Sequence, residues 1–385
     1  MSLHTRICDL FGIEVPIVLA GMGGASTPAL AAAVSNAGGL GILGAAACPP
    51  DELREWIRKT RALTDRPFGV DTLLPASVQR ESYKQAAGPS PQERLPELLA
   101  FAREFMEKEG LAAPPPTPAL EQRRRAAFTK DFFAAQMEVV IEERVPVYAS
   151  GLGDPGPWLP RLRANGTRVM AVVGAVRHAK KVAASGVDVI VAQGHDAGGH
   201  NSPIGTMALI PQVVDAVAPI PVLGAGGITD GRGVAAALML GADGAWVGSA
   251  FLATHEAGIF EYQKKAIVAA NEESTVVSRA LTGKPARMIR SRWTDALAAS
   301  GLEPLPMPFQ GAVSGPIQAA AFAAERADIA PGFAGQGIGM ITAIRPAAEV
   351  LRELVTGAER ALRGAEGMLE TGAAPRRTND RTRRT

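Results

Sequence analysis

Eight short, almost uninterrupted apolar runs punctuate the chain, each bounded by Pro, Gly or a charged residue. They are "VPIVLA" (15–20), "GLGILGA" (39–45), "PFGVDTL" (67–73), "VPVYAS" (145–150), "RVMAVV" (168–173), "VDVIVAQ" (187–193), "IPVLGA" (220–225) and "GAWVGSA" (244–250). A strand with one wet face alternates apolar and polar residues. These runs do not, so they read as strands covered on both faces, as in a parallel sheet flanked by helices. Between them lie segments with helical periodicity, "STPALAAAVSNAGG", "CPPDELREWIRKTRALT", "AVRHAKKVAASG", "TMALIPQVVDAVA" and "DGRGVAAALMLGAD". Several open on Ser, Thr or Asp and close on Gly, the residues that cap helix ends. Eight βα units that close on themselves predict an α/β fold of the (β/α)8 TIM-barrel type. A doubly wound sheet would more usually carry its phosphate-binding glycine turn after the first strand, and here the glycine-rich turn comes late.

Two segments exceed what the repeat needs. Residues 75–144 contain "RLPELLAFAREFMEKEG", the proline-rich "LAAPPPTP" and the long helix candidate "ALEQRRRAAFTKDFFAAQMEVVIEER". They read as a helical insertion between strands three and four, emerging at the barrel's C-terminal face either as a lid or as a surface embellishment. Residues 256–336 are helical in pattern and read as a small helical substrate-side domain inserted after strand eight. The barrel is then 1–74 and 145–255, completed by final helices within 337–370, including "IRPAAEVLRELVTGAERAL". Residues 371–385 end in "PRRTNDRTRRT" and read as a disordered basic tail.

Composition bounds the function classes. With 40 Lys+Arg against 38 Asp+Glu the net charge is +2, too little to imply a nucleic acid or an anionic membrane as partner. Two cysteines, Cys8 and Cys48, supply neither a disulfide framework nor a metal cluster and fit a reducing compartment. No secretory leader pattern opens the chain and no apolar run approaches about 18 residues, so a soluble cytoplasmic protein is expected.

The stretch Val222–Thr254 is the most informative. Strand seven ends in Gly224-Ala225-Gly226-Gly227 and strand eight in Gly248-Ser249. In a barrel these two loops converge, and glycine lets backbone N–H groups approach a phosphate without a cationic side chain. A phosphorylated cofactor or substrate is expected there, with Asp230 capping the helix that follows.

After strand six comes "QGHDAGGHNSP", with two of the five histidines. For a metal, His195, Asp196 and His200 would have to converge, but spacing of five across two glycines matches no familiar zinc pattern. Gly198 and Gly199 instead let the chain turn sharply over a planar ligand, leaving His200 to project into the site. There an imidazole can abstract a carbon-bound proton, donate one, or hydrogen-bond an anionic oxygen. His195 is expected to be a supporting residue.

Taken in order, "PIVLAGMGG", "SNAGGLGILGA", "PFGVD", "QGHDAGGH", "GAGGITDGRGVAAALMLGADGAWVGSAFLAT" and "FAGQGIGM" resemble the nitronate monooxygenase (2-nitropropane dioxygenase) family of flavin-dependent oxidoreductases. That family also includes a flavin-dependent enoyl-ACP reductase and NAD(P)H:quinone reductases. The resemblance spans nearly the whole chain apart from 75–144 and the tail. It implies an FMN-binding barrel with a small helical second domain. By matching motif, Ala20, Gly21 and Met22 should lie against the isoalloxazine, and Asp71 and Gln193 should bond its polar edge. Gly226, Gly227, Gly248 and Ser249 should take the phosphate, with a hydroxyl from Thr254, while Gly335 and Gln336 should border the substrate side. The motif histidine, here His200, serves as base or hydrogen-bonding group. Many members carry Asn where Asp71 stands, and nitronate monooxygenases usually follow the histidine with Arg-Gly rather than Asn201-Ser202.

Three uses of such a site stay open. An alkyl nitronate could be oxidised with dioxygen, NAD(P)H could reduce the flavin for a quinone, or an enoyl thioester could be reduced. The class-distinct alternative is a non-flavin barrel isomerase or aldolase of a phosphorylated substrate, which predicts a lysine or a carboxylate pair at strand ends. The partners expected are a small-molecule substrate, with NAD(P)H and a homo-oligomeric contact left open.

Overall fold

A computed structural model of the protein describes residues 3–74, 90–112 and 129–371. All eight apolar runs are strands: β1 (Ile17–Leu19), β2 (Gly41–Gly44), β3 (Phe68–Leu74), β4 (Val147–Gly153), β5 (Arg168–Val173), β6 (Val189–Gln193) and, after the two-residue β7 (Gly199–His200), β8 (Val222–Ala225) and β9 (Gly244–Val247). They pair in parallel in the order β1-β9-β8-β6-β5-β4-β3-β2. The Leu19 amide donates to Leu40 O at 2.9 Å and the Leu40 amide to Ile17 O at 3.0 Å, which brings the two edge strands together and closes the barrel.

Alternation along the strands sorts the core into two layers. Val18, Ile42, Val147, Ala149, Met170, Val189, Val191, Leu223 and Trp246 point inward and pack on Ile7, Cys8 and Phe11 of α1 (Arg6–Phe11), which plugs the end opposite the site. Their neighbours Ile17, Leu19, Leu43, Phe68, Val70, Tyr148, Ile190 and Val247 point outward under the helices. This two-sided burial is the physical reason the runs lack polar alternation. The surrounding helices are α2 (Pro28–Asn36), α3 (Pro50–Leu63), α5 (Lys130–Glu142), α6 (Leu159–Ala164), α7 (Val176–Ser185), α8 (Thr206–Val217), α9 (Gly231–Met239) and α13 (Ala347–Thr371), with α4 (Pro91–Lys108) set apart. As expected, Asp230 caps α9, its carboxylate accepting from the amides of Arg232 and Gly233.

The segment 75–144 divides. Helix α5 starts at Thr129, whose hydroxyl accepts from the Phe132 amide, and buries Phe132, Phe133, Met137 and Val140 in the outer layer. It is therefore the third unit's own barrel helix. Helix α4 packs on the small domain instead: Phe101 and Phe105 lie 5.8 and 5.2 Å from the fully buried Trp293 ring. Close by, Glu109 pairs with Arg292 at 2.7 Å and Arg326 at 3.1 Å. The proline-rich stretch falls outside the described residues, as does all of the tail after Thr371.

The small domain also departs from an all-helical pattern. Besides α10 (Glu261–Val268), α11 (Arg292–Ser300) and α12 (Gln310–Ala323), it holds an antiparallel hairpin of β10 (Thr275–Ser278) and β11 (Ala286–Ile289). Strand β11 pairs with β7, Ala286 opposite His200 and Arg287 opposite Gly199. The inserted domain thus joins the loop after β6 through a three-stranded sheet. Among the described residues no helix is long and apolar enough to cross a membrane.

Candidate active site

The expected residues gather at the C-terminal ends of the barrel strands. Ala20, Gly21 and Met22 leave β1 in a turn tied down by Ser26, whose hydroxyl donates to Ala20 O at 2.9 Å and accepts from the Met22 amide at 3.2 Å. Glycine is required at Gly21, because a Cβ there would lie 2.2 Å from Oδ2 of Asp71. Asp71 projects inward from β3, 6% exposed, and its Oδ1 has no hydrogen-bond partner among the described residues. Burial raises its pKa well above the ordinary carboxylate value, against a smaller opposing pull from a backbone bond with Gly151.

The two strand ends expected to hold phosphate meet. Gly226 and Gly227 have φ of 105° and 71°, in the left-handed region that favours glycine. Gly248 and Ser249 follow β9, and a Cβ on Gly248 would lie 3.3 Å from the Ala20 Cβ and 3.4 Å from the Met22 sulfur. Among the described residues, the amides of Gly226, Gly227, Gly248 and Ser249 donate to no backbone carbonyl. The Ser249 hydroxyl accepts from the Gly335 amide at 2.7 Å and keeps its own proton to donate. A cluster of donors without acceptors suits an anion.

Three expectations change. Gly224 faces outward, where a Cβ would meet Ile210 and Ala237 at 2.8 and 2.9 Å, so its smallness serves helix packing rather than a ligand. Thr254 is fully buried and spends its hydroxyl proton on Phe251 O at 2.8 Å. Gln336 is exposed, and its amide donates to Asp196 O at 2.9 Å while the Gly335 amide donates to Ser249 Oγ, so this segment ties the loop after β6 to the loop after β9 and leaves the Gln336 side chain exposed.

The loop after β6 is held from several directions. Gln193 Nε2 donates to His200 O at 2.8 Å, closing the loop across its own base. Gly198 passes so near the Ala334–Gly335 backbone that a Cβ would come within 2.7 Å of it, and Gly199 has φ of 75°. The three residues weighed as metal ligands turn to separate partners: His195 Nδ1 to Ser202 O at 2.8 Å, Asp196 Oδ2 to the Thr206 amide at 2.9 Å, and His200 Nε2 to Thr282 Oγ1 at 2.8 Å. The buried Arg287 donates to His195 O at 3.2 Å and pins this arrangement from β11.

His200 sits where the inserted hairpin meets the barrel. Burial, and secondarily the Lys284 charge, lower its pKa from 6.5 to about 4, so the ring is neutral near neutrality. The Lys284 amide donates to Thr282 Oγ1 at 3.3 Å, so one short turn carries both the hydroxyl on the imidazole and the nearby ammonium. Burial lowers the lysine's own pKa, and no ion pair to it occurs among the described residues. Thr282, Lys284 and Arg287 were not singled out in the sequence. Their signal was the hairpin pattern "TVVSRALTGKPARMI", two β-branched or apolar runs around a glycine turn, hidden in a segment read as helical.

Fold, strand-end glycines and a half-buried histidine in the loop after β6 define a barrel oxidoreductase. The sequence profile of the nitronate monooxygenase family matches residues 4–357, and the chain belongs to that family and is a flavin-dependent oxidoreductase. A Mycobacterium tuberculosis protein described as a monooxygenase is 39% identical over 371 residues, covering 92% of this chain and 96% of its own. Among solved structures, nitroalkane oxidase from Streptomyces ansochromogenes is 33% identical with a TM-score of 0.77, covering 94% of this chain and 100% of that one. FabK from Thermotoga maritima is 32% identical with a TM-score of 0.72, covering 95% and 99%.

Proposed function

We propose that the protein is an FMN-dependent nitronate monooxygenase, oxidising an alkyl nitronate with dioxygen at His200. What supports this reading best is His200 held 2.8 Å from Thr282 Oγ1 on the turn that carries Lys284, where burial and then the Lys284 charge lower its pKa to about 4 and favour a neutral ring. A base whose conjugate acid titrates at about 4 is poorly matched to pulling a proton from carbon. An alkyl nitronate has already lost that proton. What it needs is a site that tolerates its negative charge, and the lysine and an imidazole N–H supply one.

FMN fits the residues present. The amides of Gly226, Gly227, Gly248 and Ser249 would hold its phosphate, Ala20–Met22 would back its ring, and the partnerless Oδ1 of Asp71 awaits a group at its polar edge. The chemistry such a cofactor supplies when bound is electron acceptance from the nitronate and electron return to dioxygen. His200 and Lys284 orient the substrate anion, and Thr282 keeps the imidazole in place.

The test is oxygen uptake with an alkyl nitronate against its parent nitroalkane at equal concentration. The nitronate should turn over about a hundredfold faster, the contribution a well-matched base would otherwise make. Equal rates, or none with the nitronate, contradict the reading.

A further inference from the structure

Asp71 is a buried titratable group whose protonation state the reading above leaves open. Its carboxyl lies between two backbones: a Cβ on Gly21 would fall 2.2 Å from Oδ2, and one on Gly151 would fall 2.7 Å from Oδ1. Glycine at both positions leaves room for the carboxyl at the inner rim of the barrel, next to the turn expected to back the flavin. Among the described residues no cation answers it. The β1 turn offers Ala20, Gly21 and Met22, β2 is Gly-Ile-Leu-Gly, and β4 contributes one titratable side chain, Tyr148. That phenol turns away to Thr72 Oγ1 at 2.9 Å, and burial above all raises its pKa, so it brings no charge to Asp71.

A carboxylate so placed would be a buried charge with one backbone bond from Gly151 and no countercharge among the described residues, which costs several kcal/mol. The neutral acid avoids that cost and changes what the group can recognise. An ionised carboxylate presents acceptors only, whereas a carboxylic acid presents one O–H donor and one carbonyl acceptor. The imide edge of an isoalloxazine, a carbonyl next to an N–H, is matched at both groups by the acid, whereas a carboxylate can accept from the N–H but has no proton for the carbonyl.

We propose that Asp71 stands in the folded protein as a neutral carboxylic acid that donates its proton to a carbonyl on the imide edge of the bound flavin, making flavin retention dependent on pH. The inference rests on the FMN reading above. Loss of the proton replaces an attractive contact with a repulsive one, so flavin held in neutral solution is released as the solution becomes alkaline.

Two measurements test this. In the flavin-free protein, infrared difference spectra against Asp71→Asn should show the carbonyl stretch of a protonated carboxylic acid at neutral pH. Its absence, with only carboxylate bands, overturns the inference without touching the flavin reading. Next, FMN dissociation constants are measured by flavin fluorescence across neutral to alkaline pH. Wild type should lose affinity by about tenfold per pH unit once the carboxyl ionises, the slope of one linked proton, while Asp71→Asn keeps one affinity after comparison at each pH. Parallel curves for the two proteins overturn the inference alone. Failure of both to bind FMN at any pH overturns the flavin reading and the inference with it.

Discussion

Nε2 of His200 and Oγ1 of Thr282 lie 2.8 Å apart, joining the loop after β6 to a turn 82 residues further along the chain. The bond crosses from the barrel to the inserted domain, so the histidine's orientation depends on both. Thr282→Val removes the hydroxyl while keeping the shape. A lost hydrogen bond of this kind is worth about 1 kcal/mol, so kcat/KM for the nitronate should fall roughly fivefold to tenfold. Thr282→Ser should restore most of it, and FMN content should match wild type in both. A fall in the serine variant with none in the valine variant would show that the methyl, not the hydroxyl, matters.

His200→Ala should retain FMN and lose turnover by about 10²-fold or more, as expected for a group acting on the substrate. The same residue makes stability depend on pH. Its folded pKa is lowered from 6.5 to about 4, so between those values the unfolded chain binds the proton more readily. The stability His200 allows is full above pH 6.5 and is lost as pH falls toward 4, with an upper bound of about 3 kcal/mol. Denaturant unfolding at neutral pH and near pH 4.5 should show a smaller drop for His200→Asn than for wild type. Identical drops would mean that the ring is as easily protonated folded as unfolded.

Gly226→Ala tests the phosphate role proposed for the loops after β8 and β9. Its φ of 105° strains any side chain, and the added Cβ would lie 2.6 Å from Thr206 Oγ1. The variant should be destabilised by about 1–3 kcal/mol and should bind FMN more weakly, both read from thermal unfolding with and without added FMN. Wild-type affinity in a normally stable variant would move the phosphate elsewhere.

The barrel was legible because its signal is local. Each strand is a short run buried on both faces, and Asp230 sits at the start of its helix as capping chemistry requires. The strand-end glycines were legible as a group but not singly: which face Gly224 presents follows from strand register, one position away from an inward-facing residue. Thr282 and Lys284 were not legible as site residues, because their relation to His200 is made by the β7–β11 pairing across 82 positions. The separate destinations of α4 and α5 depend likewise on which distant apolar faces they meet, Trp293 for one and the outer layer of the barrel for the other.

The central claim is that a substrate anion, rather than a nicotinamide, delivers electrons to a flavin at His200. Mixing the FMN-loaded protein without oxygen separately with NADH, NADPH and an alkyl nitronate tests it most directly. The account predicts that the yellow absorbance bleaches with the nitronate and persists with either nicotinamide. Bleaching by NADH or NADPH alone would contradict it and make the protein a reductase, and a colourless protein that takes up no added FMN would remove the flavin altogether.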